Sequence, residues 1–156
     1  MKTRLAKGIA AAAAIVLTAL PAYADERAKD VEDLMREYVR LWNAGDADAI
    51  TSRIYRLDTR GATSTPDGLK ATFASMKAQG YSHSNLHSVE GCLLSPNLAL
   101  AEMRYTRMKT DGTPFAANLA TLYKLRKTPE GWRIAELMTM DRTVTFDCKS
   151  MTPAAK

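Results

Sequence analysis

Apolar residues recur in steps of three and four through Val31, Leu34, Met35, Tyr38, Leu41 and Trp42, with Arg36, Glu37 and Arg40 between them. That period predicts an amphipathic helix with one broad buried face. Gly45 is suited to end it in a left-handed conformation, and Asp46 can then accept from the free amides of a second helix. Asp48 sits in the first turn, where the helix dipole favours an acid. Ala49, Ile50 and Ile54 give this second helix a short apolar stripe ending near Tyr55. Residues 56–63 show no period and are expected to be irregular or a short strand. Thr65-Pro66-Asp67 then reads as a helix start: a capping hydroxyl, a proline whose missing donor costs nothing there, and an acid. Leu69, Phe73 and Met76 form its buried stripe and Gly80 ends it.

From Tyr81 the period changes from three and four to two. Residues 81–94, 98–109, 115–126 and 131–145 each read as a strand, separated by Ser95-Pro96-Asn97, Asp111-Gly112-Thr113 and Thr128-Pro129-Glu130-Gly131. Three close turns between four strands predict an antiparallel meander, so the chain is expected to be α+β, with three helices preceding one sheet. No internal repeat or linker divides it.

The N-terminus has a different grammar. Lys2, Arg4 and Lys7 precede an apolar run from Gly8 to Leu20, and Pro21 is followed by Ala22-Tyr23-Ala24. This is the anatomy of a secretory signal peptide, expected to be cut after Ala24, and the run is shorter than the roughly 20 residues of a spanning helix. The expected organisation is a signal peptide at 1–24, one domain at 25–148 and a flexible tail at 149–156. A periplasmic or secreted protein without a stable membrane anchor follows.

The leader also alters the charge. The chain carries 22 Lys and Arg against 17 Asp and Glu, but three of the basic residues lie in the leader, leaving a net +2. The remaining basic residues are scattered rather than striped, so no nucleic-acid partner is expected. A hydrophobic content of 46% suffices for a packed core. The two cysteines, Cys92 and Cys148, are candidates for a disulfide that would staple the C-terminal segment to the sheet; the alternatives are two buried free thiols or one exposed thiol bridging a dimer. Cys92, Cys148, His83 and His87 lack the tight ligand pairs of structural zinc, so no metal is expected, and nothing implies a cofactor.

Three segments carry a resemblance. LWNAGDADAI (residues 41–50), TDGTPF (110–115) and EGWRI (130–134) resemble the nuclear transport factor 2-like superfamily, which includes SnoaL-like proteins and ketosteroid isomerases. The likeness covers most of residues 28–142. It implies a cone-shaped, strongly bent antiparallel sheet packed on three N-terminal helices, a cystatin-like roll with a pocket opening into the cone. It also implies a homodimer formed through the sheet. Such folds host isomerases, cyclases, hydrolases and binding domains, so the fold does not name a reaction.

The isomerases of that superfamily use a tyrosine on the first helix, a protonated acid on a central strand and a second carboxylate as base. Matched along the motifs, the tyrosine falls on Tyr38 and the strand acid on Thr121. The base falls near Ala62 or Thr63, leaving Asp58 as the nearest acid. The isomerase-type base is therefore not found. Other candidates for acid–base chemistry are His83, His87 and Glu102. Counting back from the Asp-Gly turn along the family pattern puts Glu102 and Arg104 toward the cavity. The period alone equally allows Met103 and Tyr105 to be the packed face, with Glu102 and Arg104 on solvent. The expected ligand pocket is framed by Tyr38, Tyr55, Phe73, Glu102, Arg104, Thr121 and Tyr123. Three functions fit this sequence: binding of a small organic molecule, acid–base catalysis on such a molecule, or dimerisation for assembly.

Overall fold

The computed structural model describes residues 20–56, 65–144 and 146–148, with side chains from Ala28 onward. Helix α1 (Leu20–Ala44) leads into the short helix α2 (Ala47–Ala49), which continues as a π-helical turn over Ile50–Ile54. Helix α3 (Pro66–Ala78) precedes strands β1 (Tyr81–Ser95), β2 (Leu98–Lys109), β3 (Pro114–Thr128) and β4 (Gly131–Met140). The strands pair only with their sequence neighbours, in the antiparallel order β1-β2-β3-β4. Among the described residues no helix is long and apolar enough to cross a membrane.

The local signals act as their chemistry dictates. Gly45 ends α1 at φ 69°, and the Asp46 carboxylate accepts from the Ala49 amide at 2.9 Å. Thr65 caps α3 through its hydroxyl, which accepts from Gly68 N at 3.2 Å. The π turn brings Tyr55 out in an extended conformation, and Arg56 N donates to Ile134 O on β4 at 3.0 Å. Tyr55 is thereby fixed between the helices and the sheet. At the other end, the Asn43 side chain accepts from Ser84 N at 2.8 Å and donates to Ser84 O at 3.0 Å, so α1 is tied to β1 as if by a strand partner.

The core lies between α1 and the sheet. Val31, Met35 and Leu41 of α1 meet Ala99, Ala101, Met103, Leu125 and Ile134. Each fully buried aliphatic side chain contributes on the order of 2 kcal/mol. Gly91 allows the closest approach: a Cβ there would stand 3.0 Å from the Ala28 carbonyl and 3.2 Å from Glu32 Cγ. Bulges bend the strands over the helices, with register shifts on β1 at Tyr81/His83, Leu86/Ser88 and Leu93/Ser95. Two more lie on either side of Arg107, where β3 carries the extra residues and Asn118 adopts φ 51°.

The fourth strand is shorter than the alternation suggests. It ends at Met140, and the Asp141 carboxylate then holds a turn by accepting from Thr143 N and Oγ1 at 2.9 and 2.8 Å. Beyond this turn the chain crosses the outer face of the sheet. Phe146 is buried and the disulfide Cys92–Cys148 closes the segment onto β1. The expected tail at 149–156 lies outside the described residues.

Candidate functional site

Between α1, α3 and the inner face of β2–β4 lies a hollow of about 340 Å³. Tyr38 and Trp42 reach it from α1, Tyr55 from the end of the π turn, and Thr72 and Met76 from α3. The sheet supplies Tyr105 and Arg107 from β2, Leu119, Thr121 and Tyr123 from β3, and Leu137 and Thr139 from β4. A deeper recess of about 20 Å³, with room for one water, continues between Tyr38, Trp42, Ser84, Met103 and Arg107.

The walls are aromatic and interlocked. Tyr38 meets Trp42 and Tyr123 edge to face at centroid distances of 5.8 and 5.9 Å. The hydroxyls of Tyr38 and Tyr55 lie 2.9 Å apart, and those of Tyr105 and Thr121 lie 3.3 Å apart. Burial, reinforced by the neighbouring phenols, holds Tyr38 and Tyr123 well above the usual phenol range, and burial also raises Tyr55. These phenols are therefore neutral at physiological pH and act as hydrogen-bond donors and acceptors, not as bases.

Arg107 is the charge in this setting. Its guanidinium carbon lies 5.7 Å from the Trp42 ring centroid and 5.8 Å from that of Tyr105. Its Nε is buried and has no hydrogen-bond partner among the described residues. Among the described residues that line the hollow there is no carboxylate, imidazole or lysine.

The structure divides the residues expected at the pocket. Tyr38, Tyr55, Thr121 and Tyr123 line the hollow. Phe73 does not; it stands behind Trp42, the two rings 4.9 Å apart and nearly perpendicular. Glu102 and Arg104 are on the wrong face for a pocket, which corrects the expectation from the family pattern. Ala99, Ala101, Met103 and Tyr105 are the positions that pack beneath α1, and this turns Glu102 and Arg104 outward. There Arg104 donates to Glu102 at 2.7 Å and to the carbonyls of Val144 and Arg142 at 2.6 and 3.1 Å. Glu102 is only 5% exposed, because the C-terminal segment lies over it.

His83 and His87 are exposed on the edge strand β1 and do not line the hollow; His87 Nε2 meets Thr106 Oγ1 at 2.8 Å. Asp58 lies outside the described residues. Among the described residues no group of three or more His, Cys, Asp and Glu is arranged to hold a metal.

Trp42, Tyr105 and Arg107 belong to the site and were not among the residues expected there. A signal for them existed. On β2, the positions 99, 101, 103 and 105 are uncharged and apolar, whereas 102 and 104 are both charged. The uncharged parity belongs under a helix, and Arg107 continues it past the packed region. Trp42 sits on the apolar face of α1 beside Tyr38.

With fold and hollow in place, the class of protein is clear. Residues 59–142 match the family described as NTF2-like protein (DUF6841). The chain belongs to that family. An NTF2-like protein with a cystatin-like fold from Novosphingobium aromaticivorans superposes with a TM-score of 0.61 at 19% identity, over 87% of this chain and 96% of its own. A ketosteroid isomerase-like protein from Erwinia carotovora atroseptica gives 0.53 at 21% identity, over 74% and 95%. An NTF-2 like protein of unknown function from Shewanella oneidensis gives 0.53 at 19%, over 72% and 98%. At these identities the likeness is one of fold. No curated protein matches the chain.

Proposed function

We propose that this NTF2-like domain binds a small organic molecule in the hollow beneath its sheet. One observation carries the reading: the hollow of about 340 Å³, walled by aromatic rings and containing a few convergent polar groups. That size is near the lower end of the roughly 300–1,000 Å³ typical of small-molecule sites, and the mixture of apolar wall and sparse polar anchors is characteristic of them. Tyr38 and Thr121, at the positions where related isomerases keep oxyanion donors, both reach this space. They supply neutral hydroxyls and no base.

Binding is tested by titrating the purified domain with single-ring and fused-ring compounds while following Trp42 fluorescence and the thermal midpoint. Trp132, buried in the core, is replaced by Phe so that Trp42 alone reports. Thr139→Trp places a large side chain at an exposed position on the wall of the hollow and is expected to abolish the response without unfolding the protein. Equal binding by Thr139→Trp would place the ligand elsewhere and remove the reading.

We further propose that the protein is exported, with the basic and apolar leader over residues 1–24 as support. N-terminal sequencing of the protein from a cell-envelope fraction is expected to begin at Asp25; retention of Met1 would refute export by cleavage.

A further inference from the structure

The reading above leaves the chemistry of the ligand open, and Arg107 narrows it. A guanidinium is always charged and carries five donors and no acceptor. Inside proteins such groups are paired, because burying an unsatisfied charged donor is costly. On the outer face of the same strand Arg104 follows this rule, with three hydrogen bonds to oxygen acceptors. Arg107 has rings instead. Trp42 and Tyr105 flank its guanidinium, and among the described residues the buried Nε has no acceptor.

Ring contacts attract the cation but do not replace an acceptor in the plane of its N–H bonds. Among the described residues the rest of the wall carries no charge to match it. In two hydroxyl pairs, Tyr38 with Tyr55 and Tyr105 with Thr121, the neutral partners bond each other. A site that holds an unmatched guanidinium complements a group that only accepts.

We propose that the hollow takes a small planar organic acid, with its carboxylate held by Arg107 and its ring packed among Tyr38, Trp42 and Tyr123. The carboxylate is the acceptor-only anion that suits a guanidinium edge, and two short charge-assisted bonds give it orientation. The flat body follows from the walls. Edge-to-face contacts between Tyr38, Trp42 and Tyr123 already enclose this space, and a further ring extends that packing. This inference rests on small-molecule binding in the hollow, and the test separates the two.

Isothermal titration of the parent protein with benzoate, cinnamate and 2-naphthoate is compared with the matching neutral amides. The acids are expected to bind at least about tenfold more tightly than the amides, as a hydrogen bond to a charged group implies. Arg107→Met is expected to erase that preference while leaving the fold intact by circular dichroism. Arg107→Lys, which keeps the charge and loses the planar fork, is expected to fall between them. Binding should stay flat between about pH 6 and 9, well above the range in which a carboxylic acid ionises.

Amides that bind the parent as tightly as acids would overturn the anionic assignment and leave binding in the hollow standing. Silence from both acids and amides would overturn both. A full acid preference in Arg107→Met would overturn the role of Arg107. Should that variant fail to fold, Arg107→Lys and the acid-to-amide ratio of the parent decide the question.

Discussion

Arg104 and Arg107 stand three residues apart on β2 and face opposite sides of the sheet. On the outer side Arg104 donates to Glu102 and to two backbone carbonyls of the segment after β4. On the inner side Arg107 lies among aromatic rings with a buried nitrogen unbonded. The first arrangement pairs its charge within the protein and serves the fold. The second is incomplete, and incompleteness inside a hollow is what a ligand can answer. Residue type is the same in both cases; only the neighbours differ.

The sharpest way to break this comparison is on the outer face. Reducing the disulfide Cys92–Cys148, or replacing Cys148 with Ser, releases a loop closed over 56 residues of separation. The expected loss is about 2–4 kcal/mol in a urea melt, with ligand binding in the hollow unchanged. Unaltered stability would mean that the outer segment contributes nothing to the fold.

Next comes Arg104→Met, which strands Glu102 beneath the C-terminal segment with its charge unpaired. The expected cost is on the order of 2–3 kcal/mol, reduced from the fully buried case because about a third of the Arg104 side chain is exposed. Glu102→Gln in the Arg104→Met background is expected to recover part of it, since the stranded charge is then gone.

A gentler effect belongs to the inner face alone. The folded state holds the Tyr38 and Tyr123 phenols well above the ordinary value of 10.0, first through burial and then through neighbouring phenols. A group whose folded pKa is raised keeps its full contribution below the unfolded value and loses it as pH climbs past that value. Stability is therefore expected to be level up to about pH 10 and to fall above it. Tyr38→Phe with Tyr123→Phe should flatten that decline. An unchanged slope would show that these phenols ionise without penalty.

Arg107→Met should have the smallest effect on stability. It removes two cation–ring contacts but also an unsatisfied buried donor, so the net change is expected to stay within about 1 kcal/mol. A loss as large as that of Arg104→Met would mean that Arg107 is structural, and the contrast between the faces would collapse.

Much of this architecture was legible from local chemistry. The stop at Gly45, the cap at Asp46, the Thr65-Pro66 start of α3 and the turns between strands are set by neighbours in sequence, and they fall where expected. A third of the hollow's lining was legible as well: Tyr38, Tyr55, Thr121 and Tyr123. The end of β4 was not, because the alternation runs on past Met140 while Asp141 forms a turn of its own.

The phase of β2 is the larger difference. Alternation specifies two faces without saying which one meets the helices, and a shift by one residue exchanges them. The uncharged run from Ala99 to Tyr105 favoured one choice, the spacing from the Asp-Gly turn the other, and packing against α1 decided between them. Glu102 then became a buried partner of Arg104 instead of a pocket acid, because the C-terminal segment covers the outer face.

The order of helices, caps and strands is thus a property of the sequence itself, since each rests on contacts within a few residues. The meeting of Arg107 with Trp42 is not. It joins residues far apart in the chain through a bulged strand and a helix end, and no local rule constrains that distance. What the sequence determined was which residues form each element. Which arginine is satisfied and which is left waiting was decided only when the sheet closed over the helix.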